Sequence, residues 1–264
     1  MAENKSAISE HLEHLHATVG GFTFNVDTIV VTWVIAALLI IIALIVRSKL
    51  TSGTPGTLQN VIEMVYEFIN NLVKQNITFN NAIVAPLALT LFILILLSNW
   101  LGLVPLSPLF EKWESPTADL NMAAAMALVV FIVIHFYGLK IKGAAYLAEF
   151  VLHPFPVSFK FSSAAMMPLQ LIGNILLIIA NIVLRTIEEI AKPISLAMRL
   201  FGNIFAGGII AVLIVSLLPI YASIPLGGIW LAFHLFVGLI QAFVFTMLTV
   251  VYLTIATQKL DEGH

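Results

Sequence analysis

The sequence predicts an all-α polytopic membrane protein, with about five transmembrane helices and one interfacial amphipathic helix, the last two spans long, tilted and antiparallel. Three observations predict it. The 264 residues are 60% hydrophobic and 10% charged, where soluble domains hold about 45–50% apolar and about 25% charged residues. The apolar excess is gathered into long uncharged blocks, several of them long enough to cross a hydrocarbon core of ~30 Å. One stretch, 55–76, instead alternates its polarity at helical spacing and reads as a helix lying in the interface.

Taken in order, residues 1–28 form an exposed N-terminal segment, and 29–264 form a single membrane domain. The first segment carries Glu3, Glu10 and Glu13 with no basic n-region, so it reads neither as a cleaved signal nor as a transit peptide. His11, His14 and His16 in "HLEHLH" read as a solvated amphipathic end ahead of a metal site, and no metal or cofactor is expected. The absence of cysteine excludes disulfides and thiolate metal sites. Residues 29–46 are the first span, with Arg47 and Lys49 after it. In 55–76, Leu58, Val61, Ile62, Val65, Ile69, Leu72 and Val73 share one side and Asn60, Glu63, Glu67, Asn70 and Lys74 the other. Thr54 is placed to cap this helix, and Pro55 suits its first position.

The second span is 82–105 and the third 121–138, separated by a linker with Pro108, Glu111, Glu114, Pro116 and Asp119. After Lys140 and Lys142 a stretch holding Pro154 and Pro156 reads as a surface loop. Residues 164–218 form one long tilted helix, "PIYASIPLGG" (219–228) a turn, and 228–257 the last long helix. Arg47, Lys49, Lys74, Lys140, Lys142, Lys160 and Lys259 fall on one side of the membrane, against Lys5 and Lys112 on the other. The positive-inside rule then places the C-terminus in the cytoplasm and the N-terminus outside.

A polar stripe runs along the long helix: Gln170, Asn174, Asn181, Arg185, Glu188, Lys192, Ser195, Arg199 and Asn203 recur at steps of three, four or seven. That spacing puts them on one face, roughly 50 Å long, and Pro193 is the internal position able to bend it. Arg185 and Lys192 fit an ordinary water interface. Arg199 does not, because apolar residues flank it for more than a turn on both sides. An arginine at the bilayer centre costs at least ~2.5 kcal/mol and usually faces a partner, a bundle interior or a wet cavity. The last helix carries a sparser stripe, His234, Gln241, Thr249 and Tyr252. Counted back through the turn, Gln241 comes level with Asn203, and His234 comes opposite Gly207, Gly208, Ile209 and Ile210. A lone histidine on such a helix is ordinarily a satisfied interior residue, which is the reading for His135; the glycine gap and polar neighbours make a proton carrier equally tenable for His234. Ser195, Asn203 and Gln241 can order water or hold Arg199 without titrating.

The segments "EEIAKPISLAMRLFGNIFAG" (188–207) and "FHLFVGLIQAFVFTMLTVVYL" (233–253) resemble subunit a of rotary F-type ATP synthases. "NVDTIVVTWV", "LSNWLGLVP" and "TADLN" resemble its earlier spans, so the likeness covers nearly the whole chain. The resemblance implies a stator pressed against a ring of c subunits, each with a membrane-buried carboxylate reached through two offset half-channels. It implies peripheral-stalk b subunits and membrane lipid as further partners, no nucleic acid, no catalysis by this chain, and a multi-pass location in the inner (plasma) membrane. The arginine of RLFGN, Arg199 here, is the family's essential residue between the half-channels, and Asn203 and Gln241 match its polar neighbours. Glu188 matches an acid assigned to the cytoplasmic side; Asp119, Asn99 and His234 match positions of the outer half-channel. One departure stands out. Bacterial relatives often pair the last helix's histidine with an acid a turn after RLFGN, where this chain has Gly208. His234 then works with water alone, or Asp119 supplies the acid.

Other classes are less consistent with the residues. A stand-alone secondary transporter would use the buried arginine to bind an anion, but such folds often show inverted repeats, and none is visible here. An intramembrane enzyme would need HExxH, GxSxG or paired carboxylates on the spans, and none occurs. A passive scaffold gives Arg199 no reason to exist.

Overall fold

The computed structural model describes residues 16–19, 21–51, 53–77, 83–103, 115–157 and 167–258. His11, His14, Lys5, Pro108, Glu111, Lys112, Glu114, Lys160 and Lys259 lie outside the described residues. The chain opens with an antiparallel hairpin, β1 (His16–Val19) and β2 (Phe22–Asn25), that runs directly into helix α1 (Val26–Lys49). Then follow α2 (Thr57–Asn76), α3 (Val84–Leu101), a 3-10 turn (Pro116–Ala118), α4 (Leu120–Lys142), α5 (Ala144–Leu152), α6 (Met167–Leu217) and α7 (Ile220–Thr257). Five of these helices, α1, α3, α4, α6 and α7, are long and apolar enough to cross a membrane.

The hairpin occupies part of the exposed N-terminal segment expected over 1–28. Gly21, at φ 87°, is in the left-handed region that a tight turn between short strands demands. The first span starts at Val26, three residues earlier than expected, and buries Asp27 and Thr28. The amphipathic helix starts at Thr57 with Gly56 as its N-cap, so Thr54 and Pro55 precede it. It docks only Gln59, Ile69 and Val73 deeply, which suits a helix lying along a surface. The stretch after Lys142 is no continuous loop. Gly143, at φ 59°, reverses the chain into α5, whose Tyr146 is buried. The expected turn at 219–228 is also corrected. Pro219 is the N-cap of α7, and the helix continues through Pro225. An internal proline removes one backbone hydrogen bond, which transmembrane helices tolerate where neighbours satisfy the freed carbonyl.

The bundle is built around α7, which packs against α3, α4 and α6, while α4 also packs along α6. Lipid is as apolar as leucine, so these contacts depend on close packing, and small residues permit it. Ala88, Ala123, Ala127 and Ala242 are all buried among Ile95, Leu200 and Phe245. By contrast α1 leaves Trp33, Ile40, Ile41 and Leu44 exposed, a surface suited to acyl chains. Helix α6 has 51 residues, about 77 Å of helix at 1.5 Å per residue. That is more than twice the hydrocarbon thickness, so α6 crosses obliquely or runs partly along an interface. Lys140 and Lys142 in the last turn of α4, like Arg47 and Lys49 in α1, complement the negative helix ends.

The Gly138 contact offers a test of this packing. A Cβ there would lie 2.6 Å from the Tyr146 ring, whereas one on Gly173 would meet nothing within 4 Å. Gly138→Leu should therefore destabilise the chain by about 1–3 kcal/mol and lower its thermal unfolding midpoint in detergent. Gly173→Leu should leave that midpoint nearly unchanged.

Candidate functional site

The α6–α7 crossing is held at two heights. Trp230 Nε1 donates to the Gly207 carbonyl at 3.0 Å. Further along, Lys192 Nζ lies 5.9 Å from the centre of the Tyr252 ring. Arg199 and Asn203 on α6 and Gln241 on α7 fall between these ties. His234 occupies the upper tie itself, because a Cβ on Gly207 would fall inside its imidazole. Glycine is thus what allows the two backbones to close around the ring.

The crossing is sparse in hydrogen bonds where it is most polar. His234 and Gln241 are buried and Asn203 is half-buried. His234 Nε2, Gln241 Nε2 and Asn203 Nδ2 are buried nitrogens without a hydrogen-bond partner among the described residues. A buried polar group left unmade costs about 1–3 kcal/mol, so three in one crossing are a feature that ordinary packing does not account for. Arg199 stands beside them on the open side of α6. It is exposed, as are Ser195 and Glu188, while Leu196, Ala197, Leu200 and Ile204 face the bundle. Among the described residues no carboxylate pairs with Arg199. The single polar face expected from spacing therefore divides into a bundle-facing part and an outward part.

Asn99 lies at one side of the crossing, wholly buried and fully used. Its Nδ2 donates to the Gly238 carbonyl at 3.1 Å, and its Oδ1 accepts from Thr117 Oγ1 at 2.7 Å. Trp100 Nε1 adds a bond to the Leu235 carbonyl at 2.9 Å. Together they clamp α3 to the turn of α7 that follows His234. Asp119 sits two residues beyond Thr117 as the N-cap of α4, with Oδ1 accepting from the Asn121 amide at 2.9 Å. Its Oδ2 accepts from Asn25 Nδ2 at 2.7 Å. An open cavity of about 440 Å³ adjoins this pair, with Thr23, Thr28, Thr32 and Asn121 on its polar side. Asp119 is thus joined to the crossing through the 3-10 turn and Asn99, not by direct contact with His234. Gly208 faces open space, with nothing within 4 Å of a Cβ built there.

At the other end of the stripe is a charge cluster. Arg185 reaches Glu188 at 3.2 Å and Glu189 at 3.0 Å, and Lys192 reaches them at 3.3 Å and 2.7 Å. The two acids differ in setting: the Glu188 side chain is 54% exposed and that of Glu189 only 5%. The α5 phenol of Tyr146 is pushed up to about 12, first by burial and then by the negative charge of Glu189. It stays a neutral donor at working pH.

Four functional candidates were missed by pattern reading. Glu189 is overshadowed by its neighbour in sequence, and helix phase alone could have separated the two. Asn25, Thr117 and His135 touch site residues only through long-range packing, which periodicity along one helix does not encode.

Comparison with known proteins agrees with this geometry. The family described as ATP synthase A chain matches residues 29–254. ATP synthase subunit a of Coxiella burnetii (strain CbuK_Q154) is 40% identical over 96% of this chain and 95% of its own length. ATP synthase subunit a of Shewanella sp. (strain MR-4) is 37% identical over 94% of each. Such likeness over nearly the full length, together with the five spans and the RLFGN arginine at the α6–α7 crossing, shows that the chain belongs to the ATP synthase A chain family.

Proposed function

We propose that this chain is the ion-conducting stator of a rotary ATP synthase, with two offset half-channels that meet at Arg199. The observation that carries the reading is the row of unpartnered buried nitrogens on Asn203, Gln241 and His234 beside an exposed, permanently charged guanidinium. A guanidinium cannot be deprotonated in a protein. Held against a ring of c subunits, it keeps a passing ring carboxylate ionised, since an opposite charge within ~4–6 Å favours the charged form. When that carboxylate turns toward lipid, burial favours the neutral form, so it loads a proton first. Arg199 thereby enforces unloading from one side and loading from the other, and it repels any proton that would pass directly between half-channels. One charge crossing the membrane releases ~2.3 kcal/mol per 100 mV, which rotation captures.

The outer half-channel runs from the Asp119 cavity past Asn99 to His234, and the inner one opens near Glu188. With no acid at position 208, Asp119 supplies the outer carboxylate. His234 supplies an imidazole able to take up and release a proton. Ser195, on the same outward face as Arg199, orders water at the ring contact. Peripheral-stalk b subunits hold the chain still, and the chain itself makes or breaks no covalent bond other than those to protons. The basic-residue asymmetry orients it in the inner membrane with its N-terminus outside and its C-terminus in the cytoplasm.

Two substitutions test this reading in vesicles carrying the whole complex. Arg199→Ala should reduce ATP synthesis to background while passive proton leak persists once the ATP-hydrolysing sector is stripped. Coupled synthesis surviving with Gln241 and the rest unchanged would overturn the mechanism. His234→Ala should slow proton uptake from the outer side by about 100-fold or more, the loss expected for a displaced proton-transfer group. Proton flux equal to the parent's would assign His234 a packing role against Gly207.

A further inference from the structure

The ion cluster contains one contact that its charges do not explain. Glu189 gives Oε1 to both cations, with Arg185 Nη2 at 3.0 Å and Lys192 Nζ at 2.7 Å. Its Oε2 is buried and accepts no hydrogen bond from the described residues, although it faces His135 Nε2 at 3.9 Å. His135 lies on α4, across the interface from α6. Its Nδ1 is 3.0 Å from the Phe131 carbonyl one turn earlier. A carbonyl can only accept, so Nδ1 carries the proton in that bond, which fixes the neutral tautomer and leaves a lone pair on Nε2. Two acceptors, Nε2 and Oε2, then face each other, with the Glu189 side chain buried and that of His135 24% exposed. Without a proton they repel; with one, both are satisfied.

We propose that His135 and Glu189 form a one-proton site, a pair that binds and releases a single shared proton beside the inner half-channel. The proton binds to the Nε2 lone pair and is given up to Oε2 or to water, with no bond other than N–H or O–H made or broken. Closing 3.9 Å to a hydrogen bond requires a side-chain adjustment of about 1 Å. The surroundings favour a stable cluster with a variable proton. On α6, Arg185, Lys192 and Glu188 provide fixed charges. From α5, the Tyr146 ring meets the imidazole edge-on with centroids 6.0 Å apart, and its phenol stays protonated. Glu149 is taken up by Lys142 at 2.7 Å, and Tyr252 of α7 faces Lys192. The Phe131 ring packs against the imidazole at a tilt of 43°, with centroids 4.0 Å apart. Pro193 contributes from the backbone side, since it withholds the amide that would bond the Glu189 carbonyl.

The site's existence stands on this geometry, and its use in transport rests on the half-channel reading above. The experiment separates the two. In membranes holding the full complex and labelled with ¹⁵N-histidine, the His135 signal is identified by its loss in His135→Gln. It should show Nδ1 protonated and a pH-dependent Nε2 signal, and Glu189→Gln should displace that dependence, as for coupled groups. A neutral ring protonated on Nε2 instead, or a titration indifferent to Glu189→Gln, would overturn the proposal. The tautomer is read on the unsubstituted complex, so it stands even where a variant fails to assemble. In the same membranes stripped of the ATP-hydrolysing sector, proton flow driven from the inner face should lose its pH-dependent limb in His135→Gln and in His135→Asn. A profile matching the parent's in both variants would sink the transport role. Coupling that survives Arg199→Ala would sink the half-channel reading alone and leave the shared-proton spectrum standing.

Discussion

A charge that cannot be shed, on a helix surrounded by lipid-compatible residues, is the constraint from which the rest of the arrangement follows. Arg199 costs energy wherever the bilayer is dry, by at least ~2.5 kcal/mol near its centre. The chain does not lower that cost by burying an acid beside it, because the outward face of α6 brings no carboxylate to it among the described residues. Compensation is left to water and to whatever presses on that face. A fixed internal partner would make Arg199 structurally quiet and functionally inert. An open one can exchange partners, as the proposed contact with a ring of acids requires.

Packing then has to keep a wet polar seam from collapsing. The α6–α7 crossing does so by combining a close contact with looser ones. At Gly207 the helices approach until His234 fills the space a side chain would need. Asn99 and Trp100 clamp the other side of α7 through backbone carbonyls, so the helix cannot roll to hide its polar atoms. The nitrogens of Asn203, Gln241 and His234 remain unpaired among the described residues. An unsatisfied polar group is a defect in a stable core, but here it persists on rigid helices, the signature expected where function sets the geometry.

Much of this was legible in the sequence because it depends on one-dimensional periodicity. Five spans, an interfacial helix, the stripe from Gln170 to Asn203 and the approach of His234 to Gly207 all follow from counting residues at 3.6 per turn. Local chemistry was less reliable. Pro225 reads as a turn residue, yet α7 continues through it, since a transmembrane helix gains more from unbroken backbone bonding than one missing donor costs. The Gly20–Gly21 pair between short alternating segments carries a hairpin signal in the sequence. The bonds of Asn25 to Asp119 and of Thr117 to Asn99 join residues 94 and 18 positions apart, and no pattern along a single helix predicts such pairs.

The adjacent acids Glu188 and Glu189 show how one turn of a helix can serve two environments. Successive residues point about 100° apart, so one carboxylate meets the surface while the next enters the bundle. The same two cations reach both, and this charge balance allows Glu189 to be buried at all, since an isolated carboxylate there would neutralise itself. Yet the cations bind only one of its oxygens. The other is left to face an imidazole whose tautomer the helix backbone sets. A pair of fully matched charges would have been inert to pH. A matched pair with one acceptor to spare gives the cluster a single proton to gain or lose without giving up the ion pairs that hold α6 in place.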